Sequence, residues 1–361
     1  MSPGQPLFAH FRLERSGFVL DVNLKLPGRG VSALFGASGS GKTTLLRCMA
    51  GLTRAAGRFT VDGEIWQDDW LRQFLPTHRR PLGYVFQEAS LFEHLDVRGN
   101  IEYGLRRSAS PRDRSRLDEA VGLLGIGSLL RRRPTQLSGG ERQRVGIVRA
   151  LASQPRLLLM DEPLSALDET RKAEILPYFD ALHRELAIPV IYVSHSVDEV
   201  ARLADHVVLL EDGRALASGA VTEIFSRADL PLALREEAAV VVESRLAVQD
   251  TTWSLSGLHF CGSLLWVRQL EVLPGTRLRV RIAARDVSLA LHAPAGTSIL
   301  NAFPVRIREI VADRHPSQVL VSLDAEGTAL LARITRRSLD ALALVPGMPV
   351  WAQVKSVAVL E

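Results

Sequence analysis

The sequence predicts an α/β domain built on a parallel sheet, followed by a smaller β-rich domain. Three observations carry this. Over residues 1–230, short continuous apolar runs alternate with helix-like segments, the pattern of strands buried on both faces of a sheet. One of those runs leads directly into a glycine-rich stretch and a helix start, GASGSGKTT at 36–44. Beyond about residue 230 the helical signal gives way to strand-like alternation that continues to Glu361.

The elements follow in order. VSALFG (31–36) reads as a strand running into glycines, and TTLLRCMAGL as the helix after it. PRLLLMDEP (155–163) and PVIYVSH (189–195) are apolar runs bounded by proline, and HVVLLEDGR (206–214) reads as a strand and a turn. SRADLPLALREEA reads as a linker with a short helix. It sets the expected domains at 1–230 and 239–361, with the linker at 231–238. In the second domain, strands are expected at RLRVRIA (277–283), VSLALH (287–292), PVRIREI (304–310), QVLVSL (318–323) and PVWAQVKSVAVL (349–360). LLWVRQ (264–269) with PGTRLRVRIA (274–283) resembles LLARIT (330–335) with PGMPVWAQVK (346–355). This weak repeat suggests two small OB-type barrel modules; one irregular β domain with accidental similarity is the alternative.

The composition narrows the classes. The 361 residues are 47% hydrophobic, enough for a sizeable core. A formal charge of +4, from 44 basic against 40 acidic side chains, is too small to imply nucleic acid, and no such partner is expected. The arginine clusters at Arg106–Arg116 and Arg131–Arg133 read as solvated faces and loops. Cys48 and Cys261 lack CxxC spacing and cannot make a disulfide framework, which suits a reducing compartment. The start, MSPGQPLFAHFRLERSG, lacks the basic-then-apolar pattern of an export signal. No apolar run approaches the ~18 residues that span a bilayer. Any work at a membrane is therefore expected to go through a partner.

The motif at 36–44 has the form G-x-x-x-x-G-K-[ST] between a strand and a helix. Gly36, Ala37, Ser38, Gly39, Ser40 and Gly41 would present backbone N–H groups to phosphates, reinforced by the N-terminus of the following helix. Lys42 supplies a cation for the β- and γ-phosphates, Thr43 a hydroxyl for Mg²⁺, and Thr44 continues the turn. Asp161, closing the strand LLLM, is the expected carboxylate for Mg²⁺. Glu162 beside it is a candidate to polarise an attacking water. ATP and Mg²⁺ are the expected ligands.

A second stretch, LSGGERQ (137–143), poses a question. Ser138 with Glu141 is a capping box, a common helix start. Gly139 and Gly140 are not explained by a cap, since each costs about 1 kcal/mol of helix propensity against alanine. What they offer is close backbone approach to an anion. Two cradles on one face would crowd a single nucleotide, so a head-to-tail homodimer is expected, each ATP lying between the 36–44 loop of one copy and Ser138–Gly139–Gly140 of the other. Charge-assisted hydrogen bonds of about 1.5–3 kcal/mol each are ample against the ~5.5 kcal/mol that throws a two-state switch.

Together, GASGSGKT, Gln87 in YVFQE, LSGGERQ, LLLMDEP, SALD (165–168) and His195 in YVSHS resemble the ATP-binding subunits of ABC transporters, in order and over most of 30–215. The resemblance implies a P-loop NTPase fold with a helical subdomain at about 88–150, which receives a permease. It implies that Gln87 senses Mg²⁺ and the membrane partner, that Asp168 links the two ATP sites, that Glu162 is the catalytic base, and that His195 contacts the γ-phosphate. One departure is that only Phe18 and Arg15 stand where such subunits place an adenine-stacking aromatic.

TSILNAFPVRIREIV and LLARITRRSLDALALVPGMPVWAQVKSVAVL, spanning 297–361, resemble the Mop/TOBE module of molybdate-importer ATPases. This implies a motor for molybdate, or for tungstate, its chemical neighbour. It would lie at the cytoplasmic face of the inner membrane beneath a transmembrane permease fed by an external substrate-binding protein. Ser298, Asn301, Lys355 and Ser356 match positions where such modules hold the oxyanion. Either the tail senses the anion or it only helps the protein dimerise. The rivals are the same motor with another cargo (sulfate, iron or a polyamine), a non-transport ABC ATPase, and an oxyanion store.

Overall fold

The computed structural model describes residues 4–15, 17–106 and 115–360. Residues 107–114 of the arginine-rich stretch, and residues 1–3 of the N-terminal segment, lie outside the described residues. The chain divides into two compact units, Met1–Gly219 and Ala220–Glu361.

The first unit opens with β1 (Leu7–Arg15), β2 (Phe18–Leu26), β3 (Gly30–Phe35) and α1 (Lys42–Ala50). β4 (Ala56–Val61), β5 (Glu64–Asp68) and β6 (Gln73–Phe74) precede β7 (Leu82–Val85). Then α2 (Val97–Leu105) and α3 (Ser115–Leu123) pack on α4 (Gly139–Ala152), which leads to β8 (Leu157–Asp161). The unit closes with α5 (Glu169–Glu185), β9 (Pro189–Ser194), α6 (Val197–Leu203), β10 (His206–Glu211) and β11 (Arg214–Ala220).

These strands form a six-stranded sheet, β11-β10-β3-β9-β8-β7, and a five-stranded one, β2-β1-β4-β5-β6. From β10 to β7 every neighbouring pair is parallel. β3, β8 and β9 are buried along nearly their whole length, as the continuous apolar runs require, whereas β1 and β2 alternate buried and exposed. Phe11, Phe59 and Trp66 from the second sheet share one core with Leu46 of α1, Leu159 and Val193.

Cys48 of α1 lies in that core with no exposed surface. Burial pushes its thiol up to about 11.

The second unit contains α7 (Val221–Ser226), β12 (Ala239–Asp250), β13 (Leu255–Phe260), β14 (Ser263–Arg268), β15 (Arg277–Ala283) and β16 (Val287–Ala290). β17 (Asn301–Ala312), β18 (Gln318–Ala325), β19 (Thr328–Thr335), α8 (Arg336–Ala341), β20 (Pro349–Val354) and β21 (Ala358–Leu360) follow. The division at 219/220 falls eleven residues before the boundary expected at 230, because α7 buries Val221, Ile224 and Phe225 and packs on β12 and β19. The segment 231–238 is also packed. Leu232 and Ala233 are buried, and the Arg333 guanidinium donates to the carbonyls of Ala233, Arg235 and Glu236. Arg333 also pairs with Asp313 at 2.7 Å, both side chains being about 95% shielded from solvent.

The internal repeat is real and extends further than its sequence trace. The two sheets are ordered β14-β13-β12-β15-β21 and β19-β18-β17-β20-β16, matching strand for strand. β12 and β17 each carry an irregularity at the same place, Leu246/Val248 and Ile307/Glu309. Cys261–Gly262 and Glu326–Gly327 make equivalent two-residue hairpins, all four residues having positive φ. The Pro-Gly turns match too: Gly275 N–H donates to the Leu246 carbonyl (2.8 Å) and Gly347 N–H to that of Ile307 (2.7 Å). The fifth strands are exchanged, β16 leaving the first repeat to pair with β20 and β21 returning to pair with β15.

Two outcomes are expected. Asp313→Ala leaves the Arg333 charge buried without its carboxylate and costs about 3–5 kcal/mol, read by urea unfolding. Native Cys48 resists iodoacetamide at pH 8 and reacts once the chain is unfolded. Its raised pKa means that between 9 and about 11 the native state keeps a proton that the unfolded state has lost, so this group's contribution to stability falls as pH rises through that window.

Candidate active site

Strand pairing assembles the site. Phe35 of β3 lies opposite Ser194 of β9, and Asp161 of β8 opposite Val193. The loops leaving β3, β9 and β8 therefore start side by side at the carboxyl edge of the sheet, where open α/β sheets bind ligands. These loops begin with Gly36, His195 and Glu162; Gln87, exposed, lies two residues beyond the end of neighbouring β7.

The loop at 36–41 has a defined shape. A Cβ on Gly36 would lie 2.2 Å from the Leu210 carbonyl oxygen, so only glycine fits there. Gly41, with φ 99°, caps α1, and the edge of the half-buried Phe18 ring packs against it. Arg15, the other residue considered for adenine, is exposed. Ala37, Ser38 and Gly39 are exposed, Thr44 is half-buried, and the buried Ser40 hydroxyl has no hydrogen-bond partner among the described residues. Lys42 is only 5% exposed, and its ammonium donates to the carbonyls of Gly36 (3.0 Å) and Ala37 (2.8 Å). The lysine is thereby held over the loop, where a phosphate would take up its charge.

Thr43 Oγ1 donates to one oxygen of Asp161 (2.9 Å) and the Tyr84 hydroxyl to the other (3.1 Å). Burial holds the Asp161 carboxyl above its ordinary range, opposed by these two hydrogen bonds. Burial, and then Asp161 itself, likewise raise Tyr84. Sequence reasoning missed Tyr84. Its signal was a hydroxyl-bearing ring in the strand that pairs with β8, opposite Leu159. One carboxylate and one hydroxyl fit Mg²⁺, which keeps several waters and takes phosphate oxygens rather than a full protein cage.

Glu162 adopts a left-handed backbone, φ 45°, unusual for a residue with a side chain. Its N–H donates to the Val193 carbonyl (3.1 Å), and its own carbonyl accepts from the Ser165 hydroxyl (2.8 Å). The carboxylate then lies 3.3 Å from His195 Nδ1. The two groups that the motif reading places near the γ-phosphate are thus neighbours.

Ser138, Gly140 and Asp168 come together elsewhere. They border one cavity of about 600 Å³, whose lining includes no residue of the 36–44 loop. Ser138 caps α4, accepting from Glu141 N–H (3.2 Å), while Glu141 accepts from Ser138 N–H (2.7 Å). Asp168 caps α5 by accepting from Arg171 N–H (2.9 Å). Gly140 has a packing reason that the sequence did not reveal: a Cβ there would lie 2.7 Å from Ile175 Cδ1 of α5. Gly139 meets only the Leu167 Cδ2 methyl at 3.2 Å.

In the second unit, Ser298, Lys355 and Ser356 are exposed. Asn301 is not. Its carboxamide accepts from Trp266 N–H (2.7 Å) and donates to the Trp266 carbonyl (2.9 Å), clamping β14 to β17. At most one of its N–H groups is left for an anion.

The ABC transporter family model matches residues 19–165, and the TOBE domain model residues 297–360. The chain is 60% identical over 353 residues to a molybdenum import ATP-binding protein, ModC, of Thiobacillus denitrificans, covering 98% of this chain and 97% of that one. It is 57% identical over 359 residues to ModC 1 of Azotobacter vinelandii, covering 99% of each. The solved structure of cbiO1 from Clostridium perfringens, part of the ABC transporter complex cbiONQ, superposes with a TM-score of 0.55 at 27% identity, over 63% of this chain and 93% of that one.

The packing of Gly140 against Ile175 can be separated from the phosphate contact that the motif leads one to expect. Gly140→Ala is expected to cost about 1–3 kcal/mol by overpacking. Adding Ile175→Val, which deletes the obstructing Cδ1, recovers the stability. ATPase activity that stays low in the recovered double variant reports loss of backbone approach to phosphate.

Proposed function

From the premise that this chain belongs to the ABC transporter ATP-binding family, in its molybdenum-import branch, we propose that it is the ATP-hydrolysing motor of a molybdate importer, tungstate being the neighbouring cargo. The observation that carries this reading is similarity over essentially the whole chain, so that the ATPase unit and the TOBE-bearing β unit occur together.

The proposed chemistry is in-line attack of water on the γ-phosphorus, with the β–γ bridging oxygen leaving on ADP. Gly36–Gly41 and Lys42 bind and orient the phosphates. Thr43, Asp161 and Gln87 would hold Mg²⁺, which supplies neutralising charge to the β- and γ-phosphates. Glu162 accepts a hydrogen bond and then the proton from the attacking water as its oxygen bonds to phosphorus, and His195, beside it, donates a hydrogen bond to the γ-phosphate. Ser138, Gly139, Gly140 and Asp168 would complete the site of a second copy. The clustering of Ser138, Gly140 and Asp168 around a cavity without any 36–44 residue supports this pairing.

Among the described residues, no helix is long and apolar enough to cross a membrane. The proposed location, from the molybdenum-import relatives, is peripheral, at the cytoplasmic face of the inner membrane. The helices α2, α3 and α4, which fall almost wholly in the expected 88–150 subdomain, would meet a transmembrane permease that receives cargo from an external binding protein. Exposed Ser298, Lys355 and Ser356 are the proposed anion contacts of the second unit, with Asn301 chiefly holding β14 in place.

Glu162→Gln is expected to bind ATP as the parent does while hydrolysis falls about 10²–10⁴-fold. In a complex rebuilt with its co-purifying membrane subunits, molybdate-loaded binding protein should stimulate hydrolysis and sulfate should not. Stimulation by sulfate alone would overturn the cargo; near-normal turnover of the variant would overturn the base.

A further inference from the structure

Glu199 is a buried acid that neither the motif reading nor the chemistry above uses. It lies on α6 and is 5% exposed, yet every part of its carboxylate is engaged. Oε2 accepts from the Tyr192 hydroxyl (2.9 Å) and from the Ser194 hydroxyl (2.8 Å), both on β9. Oε1 lies 3.3 Å from the ammonium of Lys172 on α5. Burial and the adjoining carboxylate raise Tyr192 well above its ordinary value, so it stays a neutral donor.

The geometry reaches two residues of the proposed machinery. The Ser194 hydroxyl also accepts from Ser196 N–H (3.0 Å), bracketing His195 from both sides of its peptide backbone. Ser196 in turn caps α6, accepting from Glu199 N–H (3.3 Å). His195 therefore sits in a small hydrogen-bonded loop whose hydroxyl is oriented by Glu199. On the other side, Lys172 lies in the first turn of the helix that Asp168 caps, its N–H donating to the Asp168 carbonyl (2.9 Å). Lys172 is 17% exposed and also reaches Glu169 (3.2 Å).

We propose that Glu199 and Lys172 are a positioning pair that ties the His195 loop to the helix starting at Asp168, so that the aim of His195 depends on where that helix stands. Neither residue touches nucleotide. The pair acts through Ser194: Glu199 holds the hydroxyl that brackets His195, and Lys172 fixes the carboxylate from α5. A buried carboxylate with three partners on two other elements has one arrangement that satisfies all of them, which suits alignment rather than bulk packing. The inference rests on the proposed role of His195.

The test uses the full chain and steady-state ATP hydrolysis, with activity normalised to folded protein. Glu199→Gln keeps the shape but places an amide where Lys172 requires a carboxylate. It is expected to lower kcat about 10–100-fold, the scale of a misaligned group, with KM for ATP unchanged. Lys172→Met should do the same, and Lys172→Arg should retain activity. The deciding arm is a double-variant cycle. Once His195→Ala has removed the aimed group, adding Glu199→Gln should lower kcat no further. Additive losses, or a lower melting temperature with unchanged kcat in Glu199→Gln, would overturn the positioning role. If His195→Ala alone left kcat unchanged, the assignment of His195 would fail instead.

Discussion

Strands that are apolar on both faces can satisfy their backbone only beside one another, with helices covering the sheet. β3, β9 and β8 are of this kind, and their parallel pairing places Phe35 against Ser194 and Val193 against Asp161. Parallel pairing sets three chain exits on one edge. No long-range attraction between Gly36, Glu162 and His195 is needed to bring them together, because the hydrophobic register does so. The Thr43–Asp161 hydrogen bond then ties the first turn of α1 to the end of β8, so the phosphate loop and the acidic pair keep one spacing. A shift of β8 by one residue would exchange the faces of Asp161 and Glu162 and lose both.

The local part of the site was legible in the sequence because it is built from consecutive residues. A loop of backbone N–H groups needs glycine at fixed offsets, and Gly36 and Gly41 stand at those offsets. Asp161 and Glu162 were readable because they end an apolar strand. What escaped is non-local. Gly140 looked like a pure phosphate contact because Ile175, its packing partner, is 35 residues away in the chain. Nothing in the sequence singles out Tyr84 or Glu199, because their partners lie on other strands and helices. Asn301 was read as an anion ligand, and its carboxamide is largely engaged by the backbone of Trp266.

The second unit shows the same limit at the scale of a fold. The repeat was visible as two short similar stretches, since β14, β15 and their counterparts keep related side chains. The exchange of β16 and β21 could not be seen, because each is only a few residues of alternating pattern that either sheet would accept. The exchange makes each sheet depend on the other repeat for its outer strand. It covers one edge of β15 and one of β20, which would otherwise offer unpaired backbone. The sequence is compatible with two modules or with one β domain, and the structure combines them: two repeats, neither complete alone.

The strained backbone of Glu162 links the acid to the strand that carries the histidine. A left-handed glutamate persists only where its surroundings over-determine it. Here the Val193 carbonyl takes its N–H, and Ser165 donates to its carbonyl. Val193 belongs to β9, the strand that also carries Ser194 and His195, so the backbone that bends Glu162 and the hydroxyl that brackets His195 come from adjacent residues of one strand. The loop from Glu162 runs to Asp168, and α5 returns a cation, Lys172, to the same strand through Glu199. The chain from 162 to 199 thus closes on itself around the proposed catalytic edge. Under the proposed pairing of two copies, a force applied at Asp168 by the partner would meet this closed circuit first. Its path to the acid would run along the 162–168 loop, and its path to the histidine through one salt bridge and one hydroxyl, rather than through the body of the sheet.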